Sequence, residues 1–170
     1  GTYGLTKGQA SPTSAAGFQD NIEEDLDPIM LGLSIPGSTF LARGYSGHPT
    51  QLLQLTRAAL EHSTQGRGMS YLEVLSPCVT YNDTYREWRT NVYDIDNEEG
   101  YDPGDRAAAF GRMTELREQG RLPLGLVYQG KRPALESLAL NPEFAAPARQ
   151  DLQDPNLIDR YREAMQSFIR

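Results

Sequence analysis

Apolar residues along this chain occur in short extended runs separated by stretches with helical spacing. Residues 38–43 (STFLAR) and 69–78 (MSYLEVLSPC) have the apolar and β-branched character of strands, and the second strand is expected to be mostly buried. Between them, a helix is predicted to begin at Pro49 and to end at Gly66 and Gly68. A strand, a helix and a strand within about 40 residues predict a βαβ unit of a parallel sheet.

Further helices are expected where an aspartate precedes a proline, because the aspartate can cap the first turn and proline suits the first helical position. These pairs are Asp27–Pro28, Asp102–Pro103 and Asp154–Pro155. The second of these helices should run to about Gln119 and stop at Gly120. Residues 122–128 (LPLGLVY) then predict another strand, whereas residues 79–101 have no clean period and predict an excursion with one short helix.

The C-terminal part of the chain differs in composition from the rest. Residues 131–154 contain several prolines, alanines and asparagines and predict an extended connection. In the last helix the apolar side chains fall on one face, which should be buried against another surface. They are Leu157, Ile158, Tyr161, Met165, Phe168 and Ile169.

Composition narrows the class of protein. The chain has 170 residues, of which 38% are hydrophobic, and this suffices for a core. The net charge of −7 argues against a general binder of nucleic-acid backbones or of anionic membranes. No run reaches the roughly 20 apolar residues of a membrane helix, and no leader-like stretch opens the sequence. We therefore expect a soluble, cytoplasmic protein with neither nucleic acid nor membrane as partner.

Cysteine and histidine are scarce. Cys78 is the single cysteine, so it cannot form an internal disulfide, and alone it cannot hold a metal cluster. Taken by itself, a cysteine after a buried strand is expected to be a small core residue. His62 near a predicted helix end is explained by a favourable interaction with the helix dipole, and His48 lies in a predicted turn. Neither histidine is assigned to catalysis.

Two further groups of residues are given structural roles. The acidic segment from Asp20 to Asp27 predicts a solvated face, with a contact to another subunit as the alternative. Trp88 is expected to form a packing cluster with Tyr81, Tyr85 and Tyr93 rather than a binding platform.

The opening stretch GTYGLTKGQASPTS, residues 1–14, concentrates glycine and hydroxyl side chains. Gly4 and Gly8 permit close backbone approach, and the hydroxyl and amide donors around them suit an anion such as a phosphate. The same composition is found in ordinary surface turns, in which Lys7 would be a solvated charge. Composition alone leaves both interpretations open.

The order of residues in YGLTKGQASPT (3–13), however, resembles the thiamin-diphosphate loop in the β subunit of the 2-oxoacid:ferredoxin oxidoreductases. Residues 59–82, ALEHSTQGRGMSYLEVLSPCVTYN, resemble a later segment of that subunit, a helix ending in histidine followed by a strand ending in Ser-Pro-Cys. GYDPGDRAAAF (100–110) and PLGLVYQ (123–129) follow the order of the same family. The resemblance extends from residue 1 to about residue 130.

This resemblance implies a fold and a set of cofactor contacts. Residues 1–130 would be the C-terminal part of a three-layer α/β thiamin-diphosphate-binding domain with a mostly parallel sheet, followed by a connection and an amphipathic helix in residues 131–170. The family holds Mg²⁺ with an Asp, an Asn and a backbone carbonyl; in this register the Asp and Asn would precede residue 1, which leaves the carbonyl of Thr2. The residues matching those around the cofactor are Tyr3, Gly4, Leu5 and Thr6.

The resemblance also changes how Lys7 and Cys78 are interpreted. Lys7 matches a position where members acting on 2-oxoglutarate carry lysine and pyruvate-specific members commonly carry glycine. An ammonium group there could pair with a substrate carboxylate in a site of low dielectric. Cys78 matches the cysteine that gives the fourth thiolate of a [4Fe-4S] cluster, whose other three ligands lie outside this sequence.

The implied activity is that of part of a 2-oxoglutarate:ferredoxin oxidoreductase, which decarboxylates a 2-oxoacid to acyl-CoA and passes electrons through the cluster to ferredoxin. The implied partners are the α subunit, which supplies the Glu that activates thiamin, the N-terminal segment of the β subunit, ferredoxin, coenzyme A and the 2-oxoacid. The alternatives are an enzyme for pyruvate or for a broad range of 2-oxoacids, and a non-catalytic interaction remnant of the same fold.

Overall fold

The structure, a computed structural model, describes residues 24–80, 83–133, 135–139, 151 and 153–169. These residues belong to two compact units that divide between residues 133 and 135. The assignment of residues 1–130 and 131–170 to two functional parts stays a prediction. Within the described residues, no helix has both the length and the apolar character needed to cross a bilayer.

A four-stranded sheet forms the centre of the first unit. Its strands are β1 (Ser38–Tyr45), β2 (Met69–Leu75), β3 (Val92–Asp94) and β4 (Leu122–Gln129), in the order β2-β1-β4-β3. β1 is parallel to β2, and β3 is parallel to β4, whereas β1 and β4 are antiparallel. The predicted α/β class with a mostly parallel sheet is confirmed. The antiparallel pair and β3 have no counterpart in the sequence-based prediction.

Helices cover both faces of this sheet. They are α1 (Pro28–Ser34), α2 (Pro49–Thr64), α3 (Tyr85–Asn91) and α4 (Arg106–Glu118), with a 3₁₀ turn at Ile95–Asn97. Side chains of β1 alternate between the faces, so that one cluster forms with α2 and another with α1 and α4. The first contains Phe40, Ala42, Leu55 and Ala59; the second includes Ile29, Leu33, Leu41, Met113 and Leu116. The fold therefore has three layers.

Capping side chains explain where α1 and α4 begin. The carboxylate of Asp27 accepts hydrogen bonds from the amides of Ile29 and Met30, as the Asp-Pro pair predicts. The prediction for the later helix is wrong at its start, because Asp105 caps α4 by accepting from the amides at 107 and 108. Asp102 instead accepts from the Gly104 amide in the preceding turn. Both aspartates precede the helix, and the one nearer to the first turn, Asp105, provides the cap.

Arg106 fastens the end of α1 to the rest of the unit. Its guanidinium donates hydrogen bonds to the carbonyl oxygens of Leu33, Ile35 and Ser38, and it lies 4.3 Å above the centre of the Tyr128 ring. Leu33 lies in the last turn of α1, where carbonyls have no helical amide to bind, whereas Ile35 caps the helix and Ser38 begins β1. A cation placed at a helix C-terminus also complements the helix dipole.

A strand is present within residues 69–78, but the prediction that it is mostly buried is wrong. β1 is buried along its whole length, but Tyr71 and Val74 of β2 are exposed, and β2 ends at Leu75. The physical reason is position: β2 lies at the edge of the described sheet, where only β1 pairs with it. A run of apolar residues alone does not distinguish a central strand from an edge strand.

The second unit contains α5 (Leu135–Ala139) and α6 (Leu157–Ser167). The predicted last helix is present, and its apolar side chains are exposed within the described structure except for Leu157, which is half-buried. The exposed fractions are 65% for Ile158, 70% for Tyr161, 62% for Met165, 85% for Phe168 and 80% for Ile169. The extended connection predicted for residues 131–154 falls mostly outside the described residues, and its described part contains the short helix α5, which the prediction lacked.

Candidate functional site

A cleft of about 720 Å³ opens where β2 ends. Its walls are the end of β2, helix α3, the C-terminal half of α4 and the segment that leads into α1. Arg43 of the central strand lies at its floor, and Cys78 and Trp88 line one side. The carboxyl ends of parallel strands are the usual position for ligand sites in α/β folds. This cleft is therefore the candidate functional site of the first unit.

Cys78 is an exposed free thiol in this cleft, three residues beyond the last residue of β2. β2 ends at Leu75, two residues before Pro77, which cannot donate to a sheet ladder, and Cys78 after it is exposed. The exposure contradicts the interpretation of Cys78 as a small core residue. An accessible sulfur is a suitable soft ligand for iron, although it supplies only one donor.

The described residues hold no group of three or more His, Cys, Asp or Glu side chains that could bind a metal ion. Cys78 is also the single cysteine of the sequence. Cys78 is therefore a single candidate donor, and its assignment to a [4Fe-4S] cluster stays a prediction.

The floor of the cleft is a network of buried charges around Arg43. Its Nε donates to Glu73 and its Nη2 donates to Asp27, both at 2.6 Å. Arg117 on the cleft wall pairs with Asp25 at 2.8 Å and reaches Asp27 at 3.7 Å. Arg43 therefore connects the entry segment of α1 to β1, and Arg117 connects the same segment to α4.

These contacts correct the prediction for the acidic segment Asp20–Asp27. Its first residues lie outside the described ranges, but Asp25 and Asp27 are ion-paired rather than merely solvated. The side chain of Asp27 is only 12% exposed. A run of acidic residues has the same appearance in the sequence whether its partners are water or arginines on distant elements, so the pattern could not show this.

An aromatic cluster lies beside the cleft, but its centre is Tyr45, which the sequence analysis did not select. Tyr45 is fully buried and packs against Trp88, Tyr85 and His48, with ring centres 5.5 to 6.2 Å apart. The predicted packing role of Trp88 and Tyr85 is confirmed. Tyr93 instead lies near the guanidinium groups of Arg112 and Arg121, and Tyr81 is outside the described residues.

His62 is buried in the last turn of α2, near the end of the helix as predicted, and its side chain also contacts the sheet. Its Nε2 lies 3.1 Å from Oγ1 of Thr39, and that hydroxyl donates to the carbonyl of Met69. Burial, followed by the nearby charge of Arg67, lowers the pKa of His62. The imidazole is therefore neutral at neutral pH, and it serves packing between α2 and the sheet. His48 is exposed at the start of α2.

The predicted cofactor and substrate contacts lie outside the described residues. They are Thr2, Tyr3, Gly4, Leu5, Thr6 and Lys7. The structure thus brings Cys78 to a cleft but does not test the positions of the other predicted site residues. Arg43 and Glu73 were missed, although one signal was available: a charged residue in the middle of an apolar strand needs a buried partner.

The sequence of the chain is similar to those of known proteins. Residues 78–141 match the family model for the C-terminal part of the pyruvate ferredoxin oxidoreductase beta chain. The chain is 39% identical over 141 residues to subunit beta of 2-oxoacid:ferredoxin oxidoreductase 2 from Aeropyrum pernix, an alignment that covers 74% of this chain and 44% of the relative.

Two other relatives have similar names. The chain is 34% identical over 146 residues to the 2-oxoacid:ferredoxin oxidoreductase subunit beta of Saccharolobus solfataricus, covering 77% of this chain and 46% of the relative. It is 33% identical over 85 residues to the 2-oxoglutarate synthase subunit KorB of Methanocaldococcus jannaschii, covering 46% of this chain and 30% of the relative. The chain spans less than half the length of each of these three relatives.

Proposed function

We propose that this chain, a relative of the β subunits of 2-oxoacid:ferredoxin oxidoreductases, forms the C-terminal portion of such a subunit and takes part in oxidative decarboxylation of a 2-oxoacid to acyl-CoA. The observation that carries this proposal is the exposed thiol of Cys78 in a cleft at the end of β2. The named relatives and the family model support the same assignment.

The proposed cofactors are thiamin diphosphate with Mg²⁺ and a [4Fe-4S] cluster, most of whose ligands lie outside this sequence. Bound thiamin stabilises the negative charge that decarboxylation leaves, and the cluster carries single electrons. In this proposal the carbonyl of Thr2 binds Mg²⁺ and the thiolate of Cys78 binds iron. The thiamin diphosphate is held by Tyr3, Gly4, Leu5 and Thr6.

The proposed partners include the N-terminal segment of the β subunit. Among the described strands, β2 pairs with β1 alone and exposes Met69, Tyr71 and Val74, which supports this, because an apolar edge strand is suited to pairing with another strand. We further propose that an α subunit supplies the activating Glu, and that ferredoxin and coenzyme A are the other partners. A free thiol and ferredoxin-linked chemistry suit the cytoplasm.

The substrate we propose is 2-oxoglutarate, on the basis of Lys7. Several relatives are named 2-oxoglutarate synthase or oxidoreductase subunits, which supports this choice, whereas others are named for 2-oxoacids in general. An enzyme for pyruvate or for a broad range of 2-oxoacids is the alternative that these broader names favour.

The experiment that tests the proposed function is a cofactor analysis of the complex as isolated from its source. We expect about four iron atoms and about one thiamin diphosphate per β subunit. A complex that contains this chain with its natural partners but holds neither cofactor would contradict the proposal. It would favour a non-catalytic interaction remnant of the same fold.

Replacement of Lys7 tests the substrate. In the complete complex, Lys7→Ala should raise KM for 2-oxoglutarate by about 10- to 100-fold, because a charge-assisted hydrogen bond to the distal carboxylate is lost. The KM for pyruvate, which lacks that carboxylate, should change little. Lys131→Ala is the matched control, because Lys131 is exposed and is the only other lysine in the sequence. Equal losses with both substrates would exclude a contact to the distal carboxylate.

A further inference from the structure

The floor of the cleft contains one buried cation shared by two carboxylates. The side chain of Arg43 is 6% exposed, and its partners Asp27 and Glu73 are 12% and 18% exposed. Burying a charge is costly unless it is paired and hydrogen-bonded, so these three side chains depend on one another. Removing either carboxylate would leave the guanidinium partly unpaired in the interior.

The three side chains belong to three different segments of the chain. Asp27 is the residue that caps α1, Arg43 lies in the central strand, and Glu73 lies opposite Arg43 in the register of β1 and β2. Glu73 is on the strand that leads to Cys78, and all four residues line the same cleft. Within the described residues, the carboxylate of Asp27 binds amides of α1 and the guanidinium groups of Arg43 and Arg117. Of the two arginines, only Arg43 is shown to bind a side chain of β2 as well, that of Glu73. Arg43 therefore provides a direct polar link between the cap of α1 and that strand.

We propose that Arg43 is a positioning residue that couples the entry segment of α1, residues 24–27, to the strand that ends at Cys78. Its guanidinium holds both walls of the cleft at once and thereby fixes where the thiol is presented. The proposal rests on the proposed function only in giving Cys78 a role in cluster binding. The coupling itself concerns residues of the described structure.

Arginine suits this role better than lysine. The guanidinium offers Nε to Glu73 and Nη2 to Asp27 in a fixed planar geometry, so the two carboxylates are held in defined directions. A lysine ammonium carries the same charge without that fixed geometry. Arg43→Lys should therefore keep the charge balance and weaken the coupling.

The test separates the two roles of Asp27. In Asp27→Ser, the serine is still a good N-cap for α1, but its side chain is too short to reach Arg43. Asp105→Ser is the matched control: it makes the same change at the cap of α4, where the carboxylate binds the amides of the first turn. Hydrogen exchange is measured by mass spectrometry on the intact complex. Asp27→Ser should raise exchange in residues 72–78 by about tenfold, whereas Asp105→Ser should change it by less than about twofold.

The reciprocal variant is Glu73→Gln, which should raise exchange in residues 29–31, whose amides bind Asp27, although Glu73 is on another element. This variant also tests the coupling if the complex that carries Asp27→Ser fails to assemble. Changes confined to the element that carries each substitution would overturn the proposal, as would equal changes in Asp27→Ser and Asp105→Ser.

A spectroscopic readout links the coupling to Cys78. In the reduced complex, Asp27→Ser should alter the electron paramagnetic resonance spectrum of the cluster at unchanged iron content, and Asp105→Ser should not. An unaltered spectrum in Asp27→Ser would contradict fixation of the thiol by Arg43. A complex without iron would contradict the proposed function instead, and the exchange measurements would still decide whether Arg43 couples the two segments.

Discussion

Replacing Cys78 by serine is expected to remove the iron of one four-iron cluster per β subunit and to lower ferredoxin reduction by more than about 100-fold. The reason is the chemistry of the donor. A cysteine thiolate is a soft ligand that iron–sulfur clusters bind, whereas a serine hydroxyl is a harder donor that stays protonated near neutral pH. The measurement is iron content together with the rate of ferredoxin reduction in the purified complex.

The exposure of Cys78 makes this result interpretable. A substitution at an exposed position usually changes stability by no more than about 0.5 kcal/mol, so loss of iron would not reflect unfolding. Val79→Ser is a suitable control, because Val79 is the next residue and is 70% exposed. It should leave iron and activity unchanged. Full iron content in Cys78→Ser would show that the thiol is not a cluster ligand.

The elements that the sequence predicted best are those with local signals. Asp27 with Pro28 marks the start of α1, and Pro49 marks the start of α2, because capping and proline geometry act within a few residues. The antiparallel pairing of β1 with β4 was missed. It joins residues about 85 positions apart, and the spacing of apolar residues does not indicate whether two strands run parallel or antiparallel.

In the candidate site, too, some residues could be predicted from the sequence and others could not. Cys78 was found because its Ser-Pro-Cys context resembles a family motif, and the structure places it in a cleft. Arg43 was missed because its meaning comes from partners 16 positions before it and 30 positions after it. Long-range ion pairs of this kind follow from the fold, so they can be identified only after the strands and helices have been placed.

The second large effect is expected at Gly125, where alanine should lower the free energy of unfolding by about 3 to 5 kcal/mol. Gly125 has φ of +119°, a conformation that side chains rarely adopt, and an added Cβ would lie 2.7 Å from the carboxyl carbon of Asp96. Asp96 follows the end of β3 and accepts a hydrogen bond from the Leu126 amide at 2.8 Å. Displacing it would leave that amide without this partner.

Substitutions at two other glycines separate the effect of backbone strain from that of a steric conflict. The free energy of unfolding is measured for each variant by urea unfolding of the purified protein. Gly120 has φ of +67° and nothing within 4 Å of an added Cβ, so Gly120→Ala should cost about 1 to 2 kcal/mol from backbone strain alone. Gly111 lies inside α4 in open space, so Gly111→Ala should stabilise the protein by about 0.5 to 1 kcal/mol. If Gly125→Ala cost no more than Gly120→Ala, the contact with Asp96 would contribute nothing, and strand β4 would be held in place without it.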